Sequence, residues 1–332
     1  MKLPKRIADI LNRKQEFIDT HRDRMEKSVL KMQNNLLDQI IADMVPTLDI
    51  KDGLITDSEA NYNKLADLDN IYKKFTTVSS KLMSSQVSGV TSSIINLGKK
   101  YFQIALSGDM VDRFDSIIEK TGELMDLRIG LKGGKMVRGG FLEAFLTDQT
   151  LGTQIKTYVS RAITGQVSTK DFIQGLKDIV KGVPHSVTKD GVTTVTQTGA
   201  LERQYQRYAY DMYQQYDAAY SSTLADEFDM HYFVYFGTLI KDSRDFCVSH
   251  VDRVYSREEA QYWIEWTPSE GEYTEAHPMR SKSPYEIPSY INYPGYQPVV
   301  DRGGYNCQHH LAWIRDELAA EMRPELKGVV KQ

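Results

Sequence analysis

Sulfur is scarce in this chain: 332 residues contain two cysteines, Cys247 and Cys307. Two are too few for the disulfide framework of small secreted domains, and a reducing compartment would oppose even one bridge. Long apolar runs are missing too; none approaches the ~20 residues of a membrane-crossing helix. The opening MKLPKRIADILNRKQEF lacks the continuous apolar stretch of a secretory leader and reads as a helix start, so the expected site of synthesis and folding is a cytoplasm. Charge of one sign is not in excess. The net charge of −4 implies no global pull toward nucleic acid or membrane. Several catalytic signatures are absent. In GLKGGKMVRGGF, Gly134-Lys135 is followed by Met136 and Ile129 stands where a Walker loop needs its first glycine. Neither H-E-x-x-H nor the deaminase pair of H-x-E and P-C-x-x-C occurs. No internal repeat is visible.

What is present suits a folded, helix-rich protein. The length allows one large domain or two ordinary ones, with a substantial core. Ile18, Met25, Val29, Met32, Leu36 and Ile40 form one apolar stripe on a helix running from Lys5 to about Val45, closed by Pro46. Asp57 or Ser58 is a suitable N-cap for a second helix, Glu59 to about Leu106, and Asp109–Leu127 predicts a third. The five glycines and three basic residues of GLKGGKMVRGGF read as a mobile loop. Phe141 to Val180 reads as two or three helices, with Ser168 capping one of them. HSVTKDGVTTVTQTG alternates β-branched and polar residues about Asp190-Gly191, a hairpin signal. Tyrosines outnumber phenylalanines, 20 to 11. On a helix over Leu201–Phe228, Tyr205, Tyr208, Met212, Tyr216 and Tyr220 share one face, which reads as a core-facing stripe rather than a nucleic-acid stacking platform. MHYFVYFGTLI reads as a buried strand. Six of the ten prolines fall between Pro268 and Pro298, in an extended irregular excursion, and a last helix is expected from about His310 to Met322.

The scarce cysteines stand beside scarce histidines. Cys247-x2-His250 and Cys307-x-His309 (or Cys307-x2-His310) have the spacing of two chelating pairs. Structural zinc takes four thiolate and imidazole ligands, and two short pairs on separate loops are a usual way to supply them. Such a site would pin the proline-rich excursion at its base and contribute to folding. The same residues could instead meet as packed, hydrogen-bonded neighbours, or as a disulfide. Asp242, Asp245 and Asp252 lie nearby, with nothing to single out one of them as a base.

The order of segments carries a resemblance. LERQYQRYAYDMYQQYDAAYSSTLADEF leads into HYFVYFGTL, then KDSRDFC, HVDRVYSREEA, a variable loop, DRGGYNCQHHLAWI and a short terminal helix. This resembles the C-terminal domain of the phage head morphogenesis (Mu F-like) minor capsid proteins. That family shows a D-x-R-x-x-C segment, a turn before an acidic helix and a terminal G-G-x-N-C-x-H segment. The similarity spans roughly Ala144 to Trp313, the upstream ITGQVSTKDFIQGL included. Asp252-Arg253 departs from the family's usual Gly-Lys. The family's C-x-H or C-x-C ending favours His309 over His310 as partner of Cys307.

The expected fold is therefore α+β and mostly helical. Its segments are a helical N-terminal region (1–130), a helical middle with a glycine-rich loop and a hairpin (131–198), and a compact Mu F-like domain (199–332) with a small sheet and a Cys/His metal staple. The expected staple ligands are Cys247, His250, Cys307 and His309, holding structural zinc. The resemblance implies a structural, non-enzymatic virion protein. It would be present in multiple but few copies and associate with the portal protein and with major capsid or scaffold proteins, without a membrane. The alternative is a metal-dependent nuclease using His309 and His310. GLKGGKMVRGG offers weak contact with phage DNA.

Overall fold

The computed structural model describes residues 3–106, 111–140, 142–143, 149–189, 192–208, 212–241, 243–265, 297–304 and 307–328. The chain is a mostly helical α+β protein, with long helices first and a small antiparallel sheet near the C-terminus. Contacts group it into two compact units, each drawn from separate stretches of chain. One comprises Met1–Thr20, Gly89–Arg128 and Asp211–Gln332; the other comprises His21–Ser88 and Ile129–Tyr210. Two long helices, α1 (Lys5–Asp43) and α2 (Glu59–Ala105), contribute to both. No helix among the described residues is long and apolar enough to cross a membrane.

The unit built from His21–Ser88 and Ile129–Tyr210 packs around the apolar stripe of α1. Leu36, Leu37 and Ile40 meet Leu68, Ile71 and Tyr72 of α2, Ile155 and Val159 of α4 (Thr150–Thr164), and Phe172 and Leu176 of α5 (Thr169–Lys181). Met25 and Val29 of the same stripe are buried, and Met32 is partly so. Pro46 lies in a single 3-10 turn, Val45–Thr47, where α1 has ended. The strands β1 (Ile50–Lys51) and β2 (Leu54–Ile55) follow. Asp52 and Gly53 join them at φ 52° and 79°, the left-handed pair that a tight hairpin turn demands. Ser58 caps α2 by accepting from Asn61 N at 3.3 Å. The fully buried Asn61 side chain ties the turn together, accepting from Asp49 N at 2.7 Å and donating to Thr56 O at 2.8 Å. Ser168 caps α5 through Asp171 N, as its sequence position predicts.

The glycine-rich stretch is not a free loop. It is a hairpin of β3 (Leu131–Lys132) and β4 (Lys135–Met136) about Gly133-Gly134. Leu131 is fully buried, and Val137 N donates to Gly130 O at 2.8 Å. Glycines permit the turn, but the single leucine anchors it. The hairpin expected at HSVTKDGVTTVT is formed by β5 (His185–Lys189) and β6 (Val192–Thr196); its turn, Asp190-Gly191, lies outside the described residues. A short helix, α6 (Ala200–Tyr208), completes the unit. The helix expected over Leu201–Phe228 is described on either side of 209–211, which lie outside the described residues, as α6 and α7 (Met212–Glu227).

The other unit carries the sheet. Its helices include α3 (Val111–Arg128) and α7, where Met212, Tyr216 and Tyr220 are buried as a core-facing stripe should be. Strand β7 (Tyr232–Phe236) is central, antiparallel to β8 (Val254–Ser256), which runs into the short helix α9 (Arg257–Gln261), on one side and to β9 (His310–Ile314) on the other. Its YFVYF sequence has no polar face because both edges and both faces are covered. Trp313, Trp263 and Tyr255 surround Phe233 at ring distances of 5.0, 5.7 and 6.2 Å. The stretch from His310 corrects the expected terminal helix. HLAWI is a fully buried strand, and helix α11 (Asp316–Met322) starts only after it. A five-residue apolar run has no period that separates strand from helix; here the open edge of β7 decides it.

Candidate metal centre

Three chain segments meet at one end of β7. After β7 the chain turns into α8 (Asp245–His250), which carries Cys247. It is hooked back where Asp252 N donates to Tyr235 O at 2.8 Å and Tyr235 N donates to Arg253 O at 3.0 Å. From the far side come a short helical turn, α10 (Pro298–Asp301), then Arg302, Gly303 and Gly304. Cys307 N donates to Gly304 O at 3.0 Å just before β9 begins. Arg302 is buried, with its guanidinium on the carbonyls of His309 and Gln214.

This arrangement brings Cys247, Cys307 and His309 together. One donor atom from each lies within 4.8 Å of the others, and all three residues are buried. His309 Nδ1 is 3.7 Å from Cys307 Sγ, and Nε2 has no hydrogen-bond partner among the described residues. Both cysteines are free thiols rather than a disulfide. The group can hold a metal ion, and its soft thiolate and imidazole donors suit a borderline-soft dication. Space for one is left by Gly303. A Cβ there would stand 2.8 Å from Cys247 Sγ and 3.2 Å from both Cys307 Sγ and Tyr235 Oη.

Electrostatics favour thiolate at one cysteine. Burial opposes charge on Cys307, but hydrogen bonds from Cys247 and His309 and the charge of Arg302 outweigh it, holding the thiol well below its ordinary value. Cys247 is pushed the other way by its hydrogen bond to Cys307 and then by burial. Of the two, Cys307 is the more readily ionised, with Cys247 as its hydrogen-bonding neighbour. Arg244 donates to Gly303 O at 2.8 Å and adds a second cation beside the sulfurs.

His250, expected as a fourth ligand, is not in the group. Cys247-x2-His250 is not a chelating knuckle but part of α8, where the imidazole stacks on Phe246, four residues back, at 4.0 Å and 17°. Its Nδ1 donates to Phe246 O at 2.6 Å, and Trp263 meets it edge-on. His310 is excluded by strand alternation, which sends successive side chains to opposite faces. It joins a separate buried cluster, with Nδ1 3.2 Å from Asp217 Oδ2 and Nε2 2.6 Å from Gln15 Oε1. Lys14 completes that cluster by pairing with Asp217 and donating to Ser221 Oγ at 3.2 Å. His309 and His310 thus serve different clusters. Asp245 and Asp252 do not belong to the metal group, and Asp242 lies outside the described residues, as does most of the proline-rich excursion (266–296).

Sequence reasoning missed Tyr235 and Gly303. Tyr235 Oη is 3.2 Å from Cys307 Sγ and 3.5 Å from Cys247 Sγ, and its ring stacks on His309 at 5.1 Å. Within YFVYF nothing distinguishes it from a core aromatic. The chain matches no family model, no curated protein and no solved structure.

Proposed function

We propose that this chain is a structural minor capsid, or head-morphogenesis, protein of a tailed phage, and that its Cys247–Cys307–His309 centre holds zinc in a structural role. The supporting observation is where the resembling segments fall. HYFVYF, DFC, RVYSREEA and CQHHLAWI are scattered over some eighty residues of sequence, yet they supply the three strands β8, β7 and β9 of one sheet and the helix α8, with the Cys/His group joining the turn after β7 to the entry of β9. A shared set of segments that builds one stapled module is what a common domain requires. On this reading the chain assembles in a bacterial cytoplasm and enters the head with the portal, contacting major capsid or scaffold proteins. On this reading Lys132 and Lys135 of the β3–β4 hairpin and Arg138 just after it, all exposed, would make weak contact with packaged DNA.

Zinc in a structural site ties segments together and contributes its binding energy to folding. Here Cys247, Cys307 and His309 would hold it, fastening residues 248–306 at their base. Two measurements test the two parts. Particles released from the host carrying the gene should contain the chain with the portal protein in DNA-filled heads, and its absence from purified heads refutes the virion reading. Protein purified without added metal should contain about one zinc per chain, lost in Cys307→Ser along with thermal stability. Plasmid incubated with the chain and magnesium should remain supercoiled; nicking abolished by His309→Ala would favour the nuclease instead.

A further inference from the structure

We propose that Tyr235 is the fourth ligand of this centre, its phenol oxygen closing the coordination shell. The inference rests on the reading of the centre as a zinc site and deepens it, because a closed four-ligand shell is structural whereas an open position is what catalytic zinc keeps.

Three distances carry it. With metal–sulfur bonds of about 2.3 Å and metal–nitrogen or metal–oxygen bonds of about 2.0–2.1 Å, the sulfur-to-nitrogen or sulfur-to-oxygen edge of a tetrahedron is about 3.5 Å. Tyr235 Oη stands 3.5 Å from Cys247 Sγ and 3.2 Å from Cys307 Sγ; His309 Nδ1 stands 3.7 Å from Cys307 Sγ. Phenol and imidazole therefore stand off the thiols by nearly the same edge. The missing Cβ of Gly303 points to the same place, since it would touch both sulfurs and Tyr235 Oη together. No fourth His, Cys, Asp or Glu joins the group among the described residues. Tyr235 is fully buried on the central strand, paired on both sides, so its oxygen is held in place without a flexible linker.

Charge sets the condition the metal must meet: burial and the two cysteines push the Tyr235 phenol well up from its ordinary value, so only a cation bound at the oxygen would make it a phenolate. Two thiolates and a phenolate around a dication leave one excess negative charge, and Arg302 and Arg244 lie beside the sulfurs to offset it. On binding, the Tyr235 O–H bond and the remaining Cys247 S–H bond would break as their metal bonds form, and both protons would leave to solvent. The competing role is positioning only, with the phenol remaining protonated and donating to a thiolate.

The test is a titration of the metal-free full chain with zinc and, separately, with cobalt(II). The expected result is a near-ultraviolet phenolate difference band that grows in step with metal and stops at one equivalent. With cobalt, thiolate charge-transfer bands should grow in parallel. Tyr235→Phe should keep the thiolate bands, lose the phenolate band and shift the cobalt ligand-field bands as water takes the vacated position. Saturating thiolate bands with no phenolate signal in the wild-type chain would overturn Tyr235 ligation and leave the metal site standing. No metal uptake and no thiolate band would overturn both. The wild-type titration is decisive by itself, so a Tyr235→Phe chain that fails to fold does not rescue the proposal.

Discussion

Removing the Lys14 charge should be among the most destabilising single changes available outside the Cys/His group. Lys14 and Asp217 are separated by some two hundred residues of sequence, and their side chains are 2% and 3% exposed. Asp217 also holds His310, and Lys14 also holds Ser221. Taking one partner from a buried pair strands the other charge in a medium that solvates it poorly, at a cost of about 3–5 kcal/mol. Lys14→Met, which keeps most of the stem volume, should therefore lower the melting temperature by roughly 4–7 °C. Lys14→Met/Asp217→Asn removes both charges and keeps an oxygen for His310, so the double variant should be more stable than the single. Acid provides an independent check. Burial works to raise the Asp217 carboxyl, but Lys14 and His310 outweigh it and bring it down to about 2. A carboxyl lower in the folded than in the unfolded chain contributes stability that is complete above the unfolded value, near ~3.9, and is lost as pH falls through the folded one. That contribution is about 2 kcal/mol, and it should vanish between about pH 4 and pH 2 in the wild type but not in the double variant. Urea denaturation followed by circular dichroism across this range measures both effects. A Lys14→Met chain within about 1 kcal/mol of wild type, or a double variant no better than the single, would refute the reasoning.

Leu131→Ala should cost about 2–5 kcal/mol, because the leucine anchors an otherwise glycine-rich hairpin. Lys132→Ala on the same hairpin should change stability by less than about 0.5 kcal/mol in the same melts. Gly303→Ala places a methyl group against both sulfurs and the phenol, so metal uptake by elemental analysis should fall well below that of wild type. His250→Gln should keep full metal content while losing thermal stability, since the ring belongs to an aromatic stack; loss of metal in that variant would return His250 to the ligand set.

The Cys/His group and the Lys14 cluster divide the two adjacent histidines by a rule simple enough to read in advance. Once HLAWI is known to be a strand, His309 and His310 must face opposite sides, and only one of them can meet Cys307. What the sequence could not show was that it is a strand. The run is too short for its period to speak, and the deciding factor was the free edge of β7.

Local chemistry determined a good deal here. Apolar spacing placed α1, α2 and α3; Pro46, Ser58 and Ser168 marked helix ends; Asp190-Gly191 predicted β5 and β6; and YFVYF predicted a buried strand. Each depends on neighbours within a turn or a strand length, where backbone geometry and hydrogen bonding act directly. The pairing of scarce Cys and His residues likewise pointed to a shared centre, and Cys247, Cys307 and His309 do meet. Tertiary structure decided what distance along the chain conceals: that α1 and α2 serve two units, that His250 turns to Phe246 instead of the sulfurs, that Tyr235 faces both thiols and that Lys14 finds Asp217. Those outcomes follow from which surfaces are brought together when the helices and sheet pack, and side-chain burial there selects among partners that local sequence leaves equivalent.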